Sequence, residues 1–293
     1  EFVTYLNIHY LIHLLAKIIN SYKLMTDLNI NEIQDLDFNN TDQPYIVKKY
    51  AKDWFAFNNW SFNFLKKLDQ NLLVNTVVGN AASGNTQMIS IKFEEYIDKI
   101  INTKTNAFLS TFHLFKKFPK LKKHINYNNI KNKSLIYHLL GWIGPAGTIT
   151  GFHCDWSENI NVQIKGKKIF YLVNPKYNKY MYISDRFERI SWTSSIELKN
   201  LDHNKFPLFK NVKLIKVVLD EGDAIYIPRG WWHYVESIEP SINVSIHYWR
   251  TVNFFRDLLI ELLKVFLHDI GLYKKNNCSC HTKNTEGKRV KRG

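Results

Sequence analysis

The segment from Ser134 to Trp249 constrains this chain most. Short runs of β-branched and aromatic residues follow one another there, each bounded by turn residues: 135–143 (LIYHLLGWI), 160–164 (INVQI) followed by KGKK, 169–173 (IFYLV), 214–218 (LIKVV), 224–227 (AIYI) and 242–249 (INVSIHYW). Several strands in succession without intervening helices predict an antiparallel sandwich or barrel rather than a parallel α/β sheet. Composition agrees: 8 Trp, 16 Tyr and 19 Phe against 12 Gly and 7 Pro supply the large side chains such a core needs. With 45% hydrophobic residues in 293, disorder, coiled coil and collagen-like architectures are excluded.

The flanks read differently. Residues 1–133 are expected to be mainly helical, with apolar spacings of three and four at 54–68 and 91–101 and an Asn/Gly/Ser loop at 79–86 between them. From Val252 the helical period returns as one stripe of Phe255, Leu258, Leu259, Leu262, Leu263, Phe266, Leu267 and Ile270, to be buried on the barrel or against a second copy in a homodimer. The last stretch, 274–293, is polar, basic and aperiodic, and is expected to be a disordered tail. The organisation that follows is an N-terminal helical extension (1–42), a main domain (43–251) with its barrel at about 134–251, a C-terminal helix (252–273) and the tail.

The charge, +14 from 40 basic and 26 acidic residues, raises the question of an anionic partner. Only seven of the basic residues are arginine, so a lysine-rich, Asn- and Ile-rich composition accounts for the balance as well as phosphate contacts would. Cys154, Cys278 and Cys280 cannot form a disulfide framework, which points to an intracellular compartment, cytoplasmic or nuclear. The apolar run 5–19 falls short of the roughly 20 residues a spanning helix needs and is interrupted by Asn7, His9 and His13, so no membrane span is expected. The chain opens on Glu1, which leaves N-terminal targeting open.

Chemistry concentrates in two segments: Thr150-Gly151-Phe152-His153-Cys154-Asp155-Trp156 and, about 80 residues on, Tyr226-Ile227-Pro228-Arg229-Gly230-Trp231-Trp232-His233. His153 and Asp155 are two apart, so on an extended strand both side chains leave the same face while Cys154 points away. With His233 from a neighbouring strand they would form a facial set of two imidazoles and one carboxylate, which holds Fe(II) and leaves adjacent positions open. An HxD triplet alone occurs by chance. The context that lifts it is the order turn (Asp220-Glu221-Gly222-Asp223), apolar strand, Pro/Gly bend and then His233, which aims an imidazole into a barrel mouth. Cys278-Ser279-Cys280-His281 offers soft ligands for zinc, but with no second pair nearby the tail reading is preferred, as is a solvated basic end for KRVKR at 288–292.

Together these residues resemble the JmjC, cupin-like Fe(II)- and 2-oxoglutarate-dependent oxygenases, and within them the small protein hydroxylases typified by the asparaginyl hydroxylase of hypoxia-inducible factor. The resemblance runs from Gln43 to Trp249 through PYIVKKY (44–50), NAFLSTF (106–112), GFHCDW, QIKGKK and IPRGWWHYVES. It implies a double-stranded β-helix, a jelly-roll of the cupin kind, with iron at one open end held by His153, Asp155 and His233. It assigns Lys168 and Thr150 to the distal carboxylate of 2-oxoglutarate, with Lys165 or Lys167 as alternatives if the register differs. Asn159 and Gln163 fall where relatives carry polar residues near cosubstrate and substrate.

Two departures stand out. His247 replaces an asparagine and could be a second donor, a substrate contact or a packed strand histidine; Phe108 stands near where a tyrosine helps hold the cosubstrate. The implied activity is hydroxylation of a protein or peptide side chain coupled to conversion of 2-oxoglutarate and O2 to succinate and CO2. A hydroxylase of a modified tRNA base, with RNA as partner, and a non-catalytic binding module on the same fold are the alternatives. A histone demethylase is less attractive because the chain carries no zinc-finger reader.

Overall fold

Period-two alternation through residues 137–248 builds the antiparallel strands of two sheets that face each other. The computed structural model describes residues 30–37, 42–79, 86–102, 107–109, 112–131, 134, 137–189, 191–249, 251–275, 277–278, 280–283 and 289–291. In chain order the elements are β1 (Asn31–Ile33), β2 (Tyr45–Val47), α1 (Phe55–Asn59), α2 (Phe62–Lys66), β3 (Leu73–Gly79), β4 (Thr86–Lys92), α3 (Phe93–Asn102), β5 (Phe108–Leu109), α4 (Leu114–Lys117) and α5 (Asn128–Lys131). The barrel follows: β6 (Tyr137–Gly144), β7 (Ile149–Asp155), β8 (Glu158–Lys165), β9 (Lys168–Val173), β10 (Ser191–Thr193), β11 (Ile215–Leu219), β12 (Ala224–Ile227), β13 (Trp232–Ser237) and β14 (Ser241–Tyr248). The chain then runs through α6 (Thr251–Asp269), β15 (His281–Lys283) and β16 (Arg289–Lys291).

One sheet has the order β1-β2-β12-β8-β14-β6, the other β10-β7-β13-β9-β11. This is the jelly-roll core expected from the sequence. Strands β8 and β14 are buried on both faces. Outside the first sheet, Ile160, Val162, Val244 and Ile246 pack against Trp60, Phe93, Tyr96 and Leu114 of the N-terminal helical region; each fully buried Phe or Leu there contributes about 1.5–3 kcal/mol. Outside the second, Phe152, Cys154, Trp232 and Tyr234 form a separate cluster with Phe206 and Phe209. Cys154 therefore faces away from the barrel interior, and burial pushes its thiol up to about 12.

The flanks depart from expectation in instructive ways. Within the region expected to be helical, β3, β4 and β5 form a three-stranded sheet in which β3 and β4 pair antiparallel up to Gly79 opposite Thr86; residues 80–85 of the expected loop lie outside the described residues. Val74-Asn75-Thr76 and Ile89-Ser90-Ile91 alternate with period two over stretches too short to outweigh neighbouring helical signals. The helix expected over 54–68 is two short ones, broken where Ser61 caps the second by accepting from the Phe64 amide at 3.0 Å. Residues 1–29 of the expected N-terminal helical extension lie outside the described residues, while 31–33 form a strand, parallel to β2.

The C-terminal segment is not the featureless tail expected from its composition. Its β15 and β16 pair antiparallel, His281 opposite Lys291, through backbone bonds that need no hydrophobic period. Of the apolar stripe of α6, Leu262, Leu263, Phe266 and Ile270 are exposed, while Glu261 and His268 on the same helix are buried. Those polar side chains are satisfied in place, Glu261 by Lys264 at 2.7 Å and His268 by the Tyr273 carbonyl at 2.8 Å. The side chains of Phe255, Leu258 and Leu259 lie outside the described residues. Among the described residues no helix is long and apolar enough to cross a membrane.

Candidate functional site

Strands β7 and β13 lie side by side with His153 opposite His233. Asp155, two residues along β7, shares the inward face, and the ligand atoms of His153, Asp155 and His233 lie within 4.8 Å of one another. The two imidazole rings are 4.0 Å apart between centroids, and His233 Nε2 is 3.5 Å from Asp155 Oδ2. Each ring is held from behind: Nδ1 of His153 is 2.8 Å from the Gly151 carbonyl, and Nδ1 of His233 is 3.1 Å from that of Trp231. A carbonyl only accepts, so each Nδ1 carries the proton and each Nε2 lone pair is presented inward.

The bend that aims His233 is built locally. Gly230, at φ +78°, donates its amide to the Asp155 carbonyl at 2.9 Å, tying the bend to the strand end opposite. The buried carboxylate of Glu158 accepts from the Tyr226 hydroxyl at 2.5 Å and from the Arg229 amide at 3.1 Å, fixing the other side of the bend.

Electrostatics leave Asp155 and His233 in the states a cation requires. Burial would raise the Asp155 carboxyl, but His233, His247 and His153 outweigh it, helped by a 3.0 Å hydrogen bond from Asn159 Nδ2, and the net shift is downward. Burial and the neighbouring His153 push His233 down to about 3. Two imidazoles beside an ionised carboxylate form a harder-than-thiolate donor set that suits Fe(II).

Behind this cluster the first sheet presents an unusual inner face. Asn159, Asn161 and Gln163 of β8 alternate inward beside Asn243, Ser245 and His247 of β14. They bond to one another: Asn161 Nδ2 to Asn159 at 2.9 Å, the Ser245 hydroxyl to Asn161 at 2.7 Å and Asn243 Nδ2 to Gln163 Oε1 at 2.9 Å. Gln163 donates its amide to the Lys165 carbonyl at 2.7 Å, so its oxygen must face Asn243, and Asn243 must answer with its NH2. Asn243 Oδ1 is left buried with no hydrogen-bond partner among the described residues. His247 is buried beside the cluster, its Nδ1 3.0 Å from the Ser157 hydroxyl and 3.7 Å from Asp155 Oδ2, and burial pushes its pKa down.

The two residues expected at the distal carboxylate depend on register. In β13–β9 pairing Lys168 stands opposite Ser237, two steps along from Val235, so it shares the inward face with Val235 and His233. Gly166, at φ +72°, makes the β8–β9 turn tight; a Cβ there would lie 2.1 Å from the Pro240 carbonyl oxygen. Lys165 and Lys167 point elsewhere, to Glu221 at 3.5 Å and Asp220 at 2.9 Å. Desolvation pushes the Lys168 ammonium down to about 8, and no carboxylate pairs with it among the described residues. Thr150 is three residues from His153, which by strict alternation would face the opposite way. A bulge in β7 places it opposite Val235, on the inward face.

The residues present therefore fit both groups that the resemblance implies: a two-imidazole, one-carboxylate cage for Fe(II), and beside it a desolvated cation that complements one end of a doubly anionic ligand. Asn161, Asn243 and Ser245 went unrecognised in the sequence. Their signal was there: polar residues recurring every second position in strands otherwise made of Ile and Val. Phe108 pairs with Val77 through its backbone, and its side chain lies outside the described residues.

A family of cupin-like domains matches residues 31–254, the whole barrel and most of its N-terminal lead-in. The chain belongs to that family. This cupin-like chain is 31% identical over 255 residues to JmjC domain-containing protein D of Dictyostelium discoideum, covering 78% of this chain and 57% of that one. It is 26% identical over 212 residues to lysine-specific demethylase 8 of Xenopus tropicalis (69% and 47%). It is 37% identical over 110 residues to human HSPB1-associated protein 1 (37% and 22%). The chain thus spans about half the length or less of these relatives. The likeness to the JmjC oxygenases, which use Fe(II) and 2-oxoglutarate, holds across the barrel.

Proposed function

We propose that this cupin-like chain is the catalytic part of an Fe(II)- and 2-oxoglutarate-dependent oxygenase that hydroxylates a protein side chain. The observation that carries this reading is the convergence of His153, Asp155 and His233 on one inward face with Lys168, a desolvated cation that no carboxylate pairs with among the described residues. The bound metal and cosubstrate would supply the oxidising power: O2 and 2-oxoglutarate become succinate and CO2, one oxygen atom going to succinate and the other to a substrate C–H bond. The chain's own work is positioning. His153, Asp155 and His233 would hold the iron, Lys168 and the Thr150 hydroxyl the distal carboxylate, and Asn159 keeps the Asp155 carboxylate oriented by its 3.0 Å hydrogen bond. The apolar residues packed inside the barrel beyond the pocket exclude water from that chemistry.

A protein substrate is supported by the rim and by the names of relatives. Trp156 meets Trp192 edge-on at 5.5 Å, with the Arg229 guanidinium 5.8 Å and the Lys264 ammonium 5.1 Å from the Trp156 ring. An aromatic, cationic rim suits a peptide carrying acidic residues. Three relatives are named lysine-specific demethylases, which favours N-methyl oxidation as the second reading: hydroxylation of a methyl carbon on nitrogen, followed by loss of formaldehyde.

The test is succinate formation by the chain with Fe(II), ascorbate and peptide pools, wild type against Asp155→Ala. Turnover abolished by Asp155→Ala supports the oxygenase. A peptide that gains one oxygen atom supports hydroxylation, and formaldehyde release selects the demethylase instead. Stimulation by RNA pools but not peptides would replace the protein substrate with a nucleic acid. Iron bound without any turnover would leave a binding module.

A further inference from the structure

We propose a second metal site, built from His268, Cys278 and Cys280, that takes a zinc-class divalent cation and fastens the C-terminal segment to the rim of the barrel. The imidazole nitrogen and the two sulfur atoms lie within 4.8 Å of one another. Zn–S bonds of about 2.3 Å and a Zn–N bond of about 2.0 Å give tetrahedral edges of roughly 3.5–3.8 Å, so side-chain adjustments of about an ångström close the cage. Two sulfurs and one imidazole are soft donors that select zinc over magnesium or calcium, the fourth position being filled by water.

The histidine is already set as a ligand. His268 is fully buried near the end of α6, its Nδ1 is 2.8 Å from the Tyr273 carbonyl, and its Nε2 is 3.4 Å from Cys280 Sγ. Because that carbonyl can only accept, the proton sits on Nδ1 and the Nε2 lone pair faces the sulfur, the same arrangement that His153 and His233 adopt. Phe187 stacks on the imidazole at 4.0 Å and 24°, holding the ring plane.

The surroundings say what the site would fasten. Phe187 bridges Cys278 in parallel and donates its amide to the Asn277 carbonyl at 2.8 Å. Arg189, beside Cys280, pairs with Asp269 at the end of α6, and Lys274 pairs with Asp185 at 2.7 Å. The 185–189 loop leads into β10, whose Ser191 and Thr193 stand opposite Asp155 and His153. A cation at His268, Cys278 and Cys280 would therefore brace the strand that edges the first metal cluster. Binding is not a redox step: each thiol gives up one proton to solvent as its metal bond forms.

The test is Co(II) binding to the full chain under reducing conditions, because thiolate-to-cobalt charge transfer arises only where sulfur is a ligand. The Asp155→Ala chain, which lacks the first cluster, is expected to bind about one equivalent with that absorption, to lose it on adding Zn(II), and to gain thermal stability with Zn(II). In Asp155→Ala with Cys280→Ser both the absorption and the stabilisation should disappear. A full-length folded Asp155→Ala chain that takes up no cobalt with thiolate character overturns the proposal. So does an absorption that survives replacement of both Cys278 and Cys280, since the sulfur would then be Cys154.

Discussion

Two regions of the barrel interior differ sharply although the same facing sheets make both. On one side Phe170, Leu172, Val217 and Leu219 of the second sheet meet Ile225 and Ile227 of β12 in a dry cluster. On the other, β8 and β14 turn Asn159, Asn161, Gln163, Asn243 and Ser245 inward, all buried. Packing amides where aliphatic side chains would fit is unfavourable unless every group finds a partner, and a well-packed apolar layer would be at least as stable. The amides nearly satisfy one another, with Asn243 Oδ1 left over, and the Lys168 ammonium is what an anionic ligand would complete. The apolar half holds the barrel together, and the polar half is the part that the proposed chemistry would use.

That division can be broken most forcefully at Lys168. If the polar half is the cosubstrate pocket, Lys168→Met should raise the KM for 2-oxoglutarate by roughly 30-fold or more while leaving the fold intact, since it removes one partner of a desolvated charge pair. An unchanged KM would mean that the polar strip serves something else. Asn159→Ala is next: freeing the Asp155 carboxylate should weaken iron binding by about 10–100-fold, read by metal titration.

The pH dependence sharpens the comparison further. With the Lys168 ammonium lowered to about 8, the free enzyme loses this cation as pH rises through that value, so binding a dicarboxylate must then take up a proton. KM for 2-oxoglutarate should climb by up to about tenfold per pH unit above 8 and be flat below it. The same sign means that burying Lys168 costs stability below pH about 8, a cost that fades as pH rises toward the ordinary lysine value. The smallest effect on the site is expected in the dry half. Leu172→Ala should destabilise the chain by about 2–5 kcal/mol in denaturant unfolding, yet leave the KM for 2-oxoglutarate of the folded protein unchanged.

Much of this was legible without coordinates. Alternating Ile, Val, Tyr and Phe announced the barrel strands, and β6, β8, β9, β11, β12 and β14 fall within a few residues of the runs that predicted them. The pairing of His153 with Asp155 follows from a two-residue period, and the bend before His233 from Pro228 and Gly230. Less was legible in the flanks. Short strands such as β3 and β4 are stabilised by partners rather than by their own sequence, and α6 buries Glu261 and His268 while Leu262, Leu263, Phe266 and Ile270 stay exposed. The Cys278-Ser279-Cys280-His281 run was set aside for want of a second pair of ligands, whereas the fold brings His268 of α6 beside Cys278 and Cys280.

The sequence by itself determined the class of fold and two of the three residues of the first cluster as a unit, because both follow from local periodicity and local backbone bends. The tertiary structure decided which lysine faces inward, that a bulge in β7 turns Thr150 to the same side as His153, and that the inner face of β14 joins that of β8 in one polar strip. These depend on the register between strands up to about 80 residues apart, where a shift of one residue reverses every side chain. No local pattern carries that offset. It is set by the simultaneous packing of both faces of both sheets.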